Sequence, residues 1–344
     1  MRYSRKEITK AGNIILTSKS EKEINDALNK INIWRTNHLE PLKVMKRRLV
    51  RLLNKNSIIP ILISQRLKRL RSIEAKLELN PQMGLGGMQD VGGYRAVLKD
   101  VKDLNKLKIL LENTNHYHRF EKSNDYVNSP KPSGYRSIHY IYKYNSKIIE
   151  YDQVKVELQI RTKLQHNWAT AVETAGIITK TSLKSSQGPD EWLNFFKIVS
   201  SLFAIKEKLP VLEEHKEQSM EDLMIECYNL CEKLNVVDTL KVLRVTTDHL
   251  EKQKFPGDYY LIYIDTETKG VSINMFDKRD YELATKRYLE IEKQIDNNKS
   301  AVVLVSALSF KDLKKAYPSY FLDTSEFLSA LEKINLNCIS LNLI

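Results

Sequence analysis

The segment VKVELQI, residues 154–160, constrains the fold most strongly because apolar and polar residues alternate along it without a break. Alternation of this kind places successive side chains on opposite faces of a β-strand. One face is apolar and needs a core to pack against. The other is polar and, with the residue that follows, consists of Lys155, Glu157, Gln159 and Arg161. A polar face usually indicates a solvated edge, but an acid on it that faced a second acid would build a Mg²⁺ site.

The spacing of apolar residues changes along the chain. Residues 20–56 repeat apolar side chains at intervals of three and four, which predicts helices. Short strand-like runs follow at 94–98, 137–144 and 154–160, with a helical pattern at 101–114 between the first two. A second helical pattern follows Thr162, a possible N-cap. This order predicts a mixed α/β core in which helices follow strands.

The C-terminal part has a different pattern. After a helical stretch at 190–235, strand-like runs at 239–247, 259–267, 270–276 and 301–307 surround an amphipathic helix at 281–298. We therefore expect two domains in the 344 residues. The predicted division is into basic N-terminal helices (1–60), a mixed α/β core (61–185), a helical connector (186–237) and a C-terminal domain (238–344).

The composition is globular, with 42% hydrophobic and 28% charged residues. No apolar run reaches the roughly 18 residues of a membrane span, and the N-terminus lacks the apolar core of a signal peptide. The three cysteines are too few for a disulfide framework or a four-cysteine zinc site. We expect a cytoplasmic protein that does not contact a membrane.

The net charge of +12 is concentrated at the N-terminus: residues 1–76 contain 19 Lys and Arg but 6 Asp and Glu. A localised basic face attracts polyanions, and RNA is a better candidate than a small nucleotide alone. The alternative is an ordinary solvated helical surface. The basic segment RLKRLRSI, residues 66–73, would place Lys68 and Ser72 on adjacent faces if it were helical.

Five of the eleven glycines lie in MGLGGMQDVGGYR, residues 83–95, around Asp90. The segment lacks the Gly-Lys-Ser/Thr ending of a P-loop, and Gln89 stands where a dinucleotide-binding fingerprint has its last glycine. It also precedes a strand, whereas phosphate-binding loops follow one. We interpret the glycines as clearance around Asp90, a carboxylate that could hold a metal ion while a ligand approaches the backbone.

A second candidate is NSPKPSGYRSIHY, residues 128–140, a loop stiffened by two prolines. It presents Lys131, Tyr135, Arg136 and His139. A tyrosine flanked by cations is suited to stack a nucleobase while the cations meet phosphates. The alternative is an ordinary turn that leads into an amphipathic strand.

Taken together, these segments resemble the RelA/SpoT-type nucleotide pyrophosphokinases, also called alarmone synthetases. The family patterns R-x-K-x-x-x-S-I, D-x-x-G-x-R, P-K-x-x-G-Y-x-S-x-H and E-x-Q-I-R-T occur here in order, at residues 66–73, 90–95, 130–139 and 157–162. The resemblance covers about residues 40–180. It implies a mixed β-sheet flanked by helices and transfer of the β,γ-pyrophosphate of ATP to a ribose 3′-hydroxyl.

The resemblance assigns a role to each matching residue. ATP phosphates would be held by Arg66, Lys68, Ser72 and Arg95. Asp90 would carry Mg²⁺, and Glu157 would act near the acceptor hydroxyl as base or as second metal ligand. The acceptor would be bound by Tyr135, which stacks its base, by Lys131 and His139 near its phosphates, and by Gln159 and Arg161.

The C-terminal part is similar to the fused toxin–antitoxin branch of this family, the CapRel-type anti-phage sensors. The similarity rests on QHNWATAVE at 165–173 and on Tyr317 and Tyr320 in a Tyr-x-x-Tyr segment. It implies a small pseudo-zinc-finger-like regulatory domain whose tyrosines cover the ATP site until a phage capsid protein binds. In the absence of the resemblance these tyrosines are ordinary helix-terminal aromatic residues.

Three hypotheses about function remain at this point. The first is a toxic pyrophosphokinase that modifies the 3′ CCA end of tRNA and blocks translation, with Lys46, Arg47, Arg48 and Arg51 as a track for the acceptor stem. The second is a small-nucleotide synthetase that makes (p)ppGpp or (p)ppApp from ATP and guanosine or adenosine nucleotides. The third is a catalytically silent RNA-binding protein, which the presence of both Asp90 and Glu157 disfavours.

Overall fold

A computed structural model describes residues 3–114, 117–179, 181, 183, 187–242, 259–265, 270–295, 300–306, 313 and 324–344. The described helices are α1 (Arg5–Thr17), α2 (Glu21–Thr36), α3 (Leu39–Lys55), α4 (Leu70–Glu78), α5 (Val101–Asn113), α6 (Lys163–Ile178), α7 (Asp190–Glu207), α8 (Met220–Lys233), α9 (Val236–Val242), α10 (Tyr281–Gln294) and α11 (Ser325–Ser340). The described strands are β1 (Leu62–Leu67), β2 (Gly92–Leu98), β3 (Arg119–Asp125), β4 (Ile138–Lys143), β5 (Lys155–Thr162), β6 (Tyr259–Asp265), β7 (Gly270–Phe276) and β8 (Ser300–Ser306).

The described strands form one mixed sheet in the order β3-β4-β5-β2-β1-β8-β6-β7. Among the described neighbouring pairs, β2 and β5 run parallel and the others are antiparallel. The predicted mixed sheet flanked by helices is confirmed. The structure also joins the C-terminal strands to this sheet, since β1 pairs with β8 at Arg66 and Val305.

One face of the sheet is buried under α3 and α5. Helix α3 contributes Leu42, Met45 and Leu49 to a core shared with Tyr94 of β2 and Leu158 of β5. The alternation predicted for 154–160 is confirmed, because the apolar face of β5 lies in this core. The polar face of β5 is therefore turned away from α3.

The remaining helices form separate clusters around this sheet. Helices α1, α2 and α4 share a small core, and α6, α7, α8 and α11 share a larger one. Helix α10 packs against β6 and β8. None of the described helices is long and apolar enough to cross a membrane.

Local capping explains where α6 begins. The Thr162 hydroxyl accepts the Gln165 N–H at 3.3 Å, and the Gln165 side-chain oxygen accepts the Thr162 N–H at 3.1 Å. This reciprocal pair satisfies two amides at the N-terminus of the helix. The predicted cap at Thr162 is confirmed.

Two predicted elements differ from the structure. The strand predicted over 239–247 is wrong in its first part, since Val236–Val242 is helical; the rest lies outside the described residues. A helix over 66–73 is also wrong in its first part. Leu62–Leu67 is a strand and α4 begins only at Leu70, because the Lys68 N–H bonds to the Val91 carbonyl at 2.8 Å and extends the pairing of β1 with β2.

The glycines of residues 83–95 serve packing more than ligand access. A Cβ at Gly84 would lie 2.7 Å from Thr9, and one at Gly86 would lie 2.1 Å from the Arg5 carbonyl oxygen. Both neighbours belong to α1, so these glycines let the first helix approach the loop. Gly87 and Gly93 are the exceptions, since a Cβ at Gly87 would meet no atom within 4 Å and a Cβ at Gly93 would meet only the Glu157 carbonyl oxygen, at 3.9 Å. Clearance near the carboxylates is thus supplied by Gly93.

We predict that Gly86→Ala destabilises the protein while Gly87→Ala does not. At Gly86 the new methyl group would collide with backbone of α1, whereas at Gly87 no atom lies within 4 Å. The expected loss in the free energy of unfolding is about 1–3 kcal/mol for Gly86→Ala. For Gly87→Ala it is within about 0.5 kcal/mol of zero. Urea unfolding of the two variants checks this, and equal stability would contradict the packing described for α1.

Candidate active site

The centre of the sheet brings distant polar residues into one row. In the β2–β5 pairing Arg95 lies beside Gln159, and in the β4–β5 pairing Gln159 lies beside His139. Two residues earlier in both β2 and β5, Gly93 lies beside Glu157. Residues paired in register share a face of the sheet. In the β1–β2 pairing Arg66 lies beside Gly93, so all four predicted segments meet on the face opposite α3.

Glu157 is held at the middle of this face. Its side chain is buried, with the residue 7% exposed. His139 Nδ1 lies 3.0 Å from Oε1, and the Gln159 amide donates to Oε2 at 2.6 Å. Burial, the largest single influence, raises the pKa of Glu157, but the contacts with His139 and Gln159 together outweigh it and lower the pKa. The carboxylate is therefore ionised at neutral pH.

A tyrosine orients the histidine in turn. The Tyr135 hydroxyl lies 2.9 Å from His139 Nε2. With Nδ1 bonded to the Glu157 carboxylate, a neutral imidazole donates from Nδ1 and accepts the Tyr135 proton at Nε2. The chain Tyr135–His139–Glu157 thus fixes the direction of the carboxylate.

Asp90 forms ion pairs with two lysines. Lys68 Nζ contacts Oδ2 and Lys76 Nζ contacts Oδ1, both at 2.9 Å. Burial opposes ionisation, but the two ammonium groups outweigh it and hold the pKa of Asp90 below its usual range. Lys76 was missed by the sequence analysis. It lies one helical turn after Ser72 on α4, so the i,i+4 spacing could have indicated it.

Three guanidinium groups form a cationic region beside these acids. Arg161 is 4% exposed, and burial together with the charge of Arg95 lowers its pKa; Arg66 acts in the same direction. The buried Nε atoms of Arg95 and Arg161 have no hydrogen-bond partner among the described residues. Arg161 Nη2 also contacts His166. A polyanionic ligand would relieve this repulsion and supply the missing acceptors.

In the loop of residues 128–140, Tyr135 is buried and is not presented at the surface. Tyr135 is 7% exposed, and its ring packs edge-to-face against Tyr126 and His139. The Lys131 ammonium lies 4.7 Å from the centre of the Tyr126 ring and 5.5 Å from that of Tyr135. Tyr126 is half-buried and was missed, since it precedes the motif. Burial, with Lys76 as a nearby cation, lowers the pKa of Lys131.

The basic residues proposed as an RNA track lie elsewhere. Lys46, Arg47, Arg48 and Arg51 are on α3, on the opposite side of the sheet from Glu157. Arg47 lies 3.8 Å from Glu40. Arg48 and Arg51 line a cleft of about 230 Å³ together with Tyr94 and Tyr142. Tyr317 and Tyr320 lie outside the described residues.

The two acids suit a Mg²⁺ ion that shares its coordination with phosphates. The charge of Asp90 opposes ionisation of Glu157, so the carboxylates lie within electrostatic range of each other, and both remain ionised. Hard carboxylate oxygens are the ligands that Mg²⁺ prefers, typically one or two of them plus phosphate and water. In the structure their oxygens contact Lys68, Lys76, His139 and Gln159, so an arriving ion would have to displace one of these partners.

Residues 65–183 match the family described as a region found in RelA / SpoT proteins. This part of the chain is therefore a RelA/SpoT region. Two Bacillus subtilis proteins, GTP pyrophosphokinase YwaC and GTP pyrophosphokinase YjbM, are each 32% identical to this chain, over 114 and 111 residues. These matches cover 30% and 31% of this chain and 52% of each relative. The chain therefore spans about half the length of the curated relatives it matches.

A solved structure is also similar. The small alarmone synthetase 1 from Bacillus subtilis is 23% identical, with a TM-score of 0.43, over 50% of this chain and 90% of that protein. The RelA/SpoT match begins at Gln65 and contains both Asp90 and Glu157. The acids and cations described above thus belong to the RelA/SpoT region.

We predict that Lys76→Met weakens the protein in a pH-dependent way. The Lys76–Asp90 pair is partly exposed, so its loss should cost about 1 kcal/mol at neutral pH. Because folding lowers the pKa of Asp90, this stabilisation is fully present above the usual carboxyl pKa of about 4 and is lost only as the pH falls through the lowered pKa of Asp90 in the folded protein.

Urea unfolding of wild type and Lys76→Met at neutral pH and at the most acidic pH at which both proteins still fold, about pH 2, measures the effect. The difference between the two proteins should shrink at the lower pH. Lys102→Met on the exposed surface of α5 is the control and should show no difference at either pH. A difference that grew on acidification would contradict the pairing.

Proposed function

We propose that this chain is a pyrophosphokinase that transfers the β,γ-pyrophosphate of ATP to a 3′-hydroxyl of an acceptor nucleotide. The observation that carries the proposal is the placement of two ionised acids, Asp90 and Glu157, beside buried cations within the RelA/SpoT region. The names of the Bacillus subtilis relatives support the same class of reaction. A silent RNA-binding protein would have no need of two ionised carboxylates at one site, one of them buried.

In the proposed reaction the acceptor 3′-oxygen attacks the β-phosphorus of ATP. The bond from that phosphorus to the oxygen shared with the α-phosphate breaks, AMP leaves, and the acceptor proton is removed. Glu157 is suited to accept this proton, since it is ionised and its direction is fixed by His139 and Gln159. Transfer of this type depends mainly on positioning and on charge neutralisation.

The cationic region would bind the phosphate chain. Arg66, Arg95 and Arg161 repel one another in the absence of an anion, so triphosphate binding is favoured by relief of that repulsion. A Mg²⁺ ion would be held by Asp90, with Glu157 as the second ligand if it does not act as the base, and would supply positive charge for the phosphates. Lys68 and Lys76 hold Asp90 ionised, and their ammonium groups would be available to phosphate oxygens once the nucleotide binds.

The acceptor that we favour is the 3′ CCA end of tRNA. The concentration of positive charge in residues 1–76 supports an extended polyanion over a free nucleotide. Because α3 lies on the far side of the sheet, a tRNA that used Lys46, Arg47, Arg48 and Arg51 would have to pass around the edge of the sheet. The alternative acceptor is GDP or GTP, which the names of the curated relatives favour and which needs no such path.

We further propose that the C-terminal segment regulates this activity as the toxin–antitoxin resemblance implies. In that proposal Tyr317 and Tyr320 restrain the enzyme, and a phage capsid protein releases it. Substitution of either tyrosine by alanine should raise toxicity in growing cells. No rise in toxicity would remove these residues from the proposal while leaving the transfer reaction untouched.

The transfer assay uses the full chain, Mg²⁺, γ-labelled ATP and either tRNA or GDP/GTP. We expect label to move to tRNA, and Glu157→Gln to lower the rate about a thousandfold. Exposed Glu78→Gln at the end of α4 is the control and should behave as wild type. Label in GDP or GTP alone would contradict the tRNA acceptor. Its absence from every acceptor, also in the Tyr317 and Tyr320 variants, would contradict the proposed function.

The pH profile tests the role of Glu157. Since the His139 bond lowers the pKa of Glu157 against the effect of burial, His139→Leu should raise that pKa. The acidic limb of kcat/KM should then move to higher pH. His139→Gln keeps a donor beside the carboxylate and should shift the limb less. An acidic limb that does not move in His139→Leu would show that another group controls it.

A further inference from the structure

One buried side chain outside the active site, that of Arg35, uses every hydrogen-bond donor that it has. Arg35 of α2 is fully buried, with 0% of its side chain exposed. Its Nε donates to the Lys68 carbonyl at 3.1 Å, and Nη1 donates to Asn32 at 2.9 Å and to Glu292 at 2.7 Å. Its Nη2 donates to the Tyr288 hydroxyl at 2.6 Å and to Glu292 at 3.2 Å. All five N–H groups of the guanidinium are therefore used.

The carboxylate of Glu292 also binds the N-terminus of α4. Glu292, on α10, also accepts the backbone N–H of Leu70 at 2.9 Å. Leu70 is the first residue of α4, and Arg69 before it provides no side-chain cap. Glu292 thus satisfies one of the free amides at the N-terminus of α4, where a negative charge is favourable. A third tie joins the same elements, since Arg71 donates to the Ile295 carbonyl at 2.8 Å.

These contacts surround the backbone that carries the Asp90 partners. Arg35 binds the carbonyl of Lys68, whose ammonium contacts Asp90. Glu292 binds the start of α4, and the same helix carries Lys76, the second contact of Asp90. Both lysines are thus anchored through backbone that α10 holds in place.

We propose that Arg35 and Glu292 are positioning residues, which couple the C-terminal helix α10 to the ATP phosphate site by fixing the turn 68–70. The kinetic part of this inference rests on the proposed function. Neither residue would touch ATP. Instead they determine the positions of Lys68 and α4. A change in how α10 packs would therefore change the affinity of the site for the ATP phosphates.

A merely stabilising role makes a different prediction. Buried ion pairs often contribute little net stability, because removing two charges from water offsets their attraction. If Arg35 and Glu292 only held the fold together, losing them would reduce the fraction of active protein and leave every KM unchanged. If they position the turn, the KM for ATP rises while the KM for the acceptor does not.

The experiment compares Glu292→Gln with Glu290→Gln in the full chain. Glu290 lies on the same helix but pairs only at the surface, with Arg287 at 3.5 Å. We expect Glu292→Gln to raise the KM for ATP about tenfold, as loss of supporting bonds does at other sites. The KM for the acceptor should stay within about twofold of wild type. Glu290→Gln should match wild type in both constants.

A second variant keeps the test informative if Glu292→Gln folds poorly. Arg35→Met combined with Glu292→Leu replaces the ion pair by apolar side chains, which cores often accept without loss of stability. It should retain the wild-type thermal midpoint yet show the raised KM for ATP. A folded double variant with the wild-type KM for ATP would overturn the inference.

Hydrogen exchange separates this inference from the proposed function. The Leu70 amide and its neighbours in α4 should exchange faster in Glu292→Gln than in Glu290→Gln, measured by mass spectrometry on peptides spanning residues 66–78. If wild type transfers no pyrophosphate, the proposed function fails, and exchange alone decides whether α10 holds this turn. Unchanged exchange in both variants would overturn the coupling whether or not the enzyme is active.

Discussion

The parallel pairing of β2 with β5 is the constraint on which the rest of the site depends. It sets Gly93 beside Glu157 and Arg95 beside Gln159, and the antiparallel partner β4 then adds His139 to the same face. Parallel neighbours cannot be joined by a tight turn, so α5, β3 and β4 must intervene in the chain. The long interval between Asp90 and Glu157 is a direct result of this topology. The absence of a side chain at Gly93 leaves room in front of the carboxylate.

The described residues satisfy the acids of the site with cations and hydrogen-bond donors of the protein itself. Asp90 is bound by two lysines, and Glu157 by a histidine and an amide, while the arginines at the site repel one another. Such an arrangement places positive charge next to ionised acids. In the proposed function, a nucleotide with its metal would bind by exchange, since each cation released from an acid would have a phosphate oxygen to bind. Binding of the nucleotide and activation of the site would then be parts of one electrostatic rearrangement.

The local pattern of residues in the sequence was enough to predict some features of the molecule and insufficient to predict others. The alternation of residues 154–160 correctly placed Glu157 and Gln159 on one polar face, and the motif order correctly indicated which segments meet. Asp90 was identified as important, but its partner Lys76 was not, because the i,i+4 spacing shows that Lys76 shares a face of α4 with Ser72 and does not show that this face meets Asp90. The glycines near Asp90 were assigned to ligand access, whereas two of them, Gly84 and Gly86, admit α1, a contact that depends on residues about 80 positions away. Tyr126 and the Arg35–Glu292 pair depend in the same way on how distant elements pack.

The buried guanidinium of Arg35 has one further consequence, for how such chains can change over generations. The carboxylate that pairs with it stands 257 positions further along the sequence, on the other side of every active-site motif. Recombination that replaced only the C-terminal part would strand a charge in an apolar core, so the two ends must be inherited together or altered together. Residues 35 and 292 are therefore expected to covary among relatives that share this architecture. A chain that lost both would be free to exchange its C-terminal part for another.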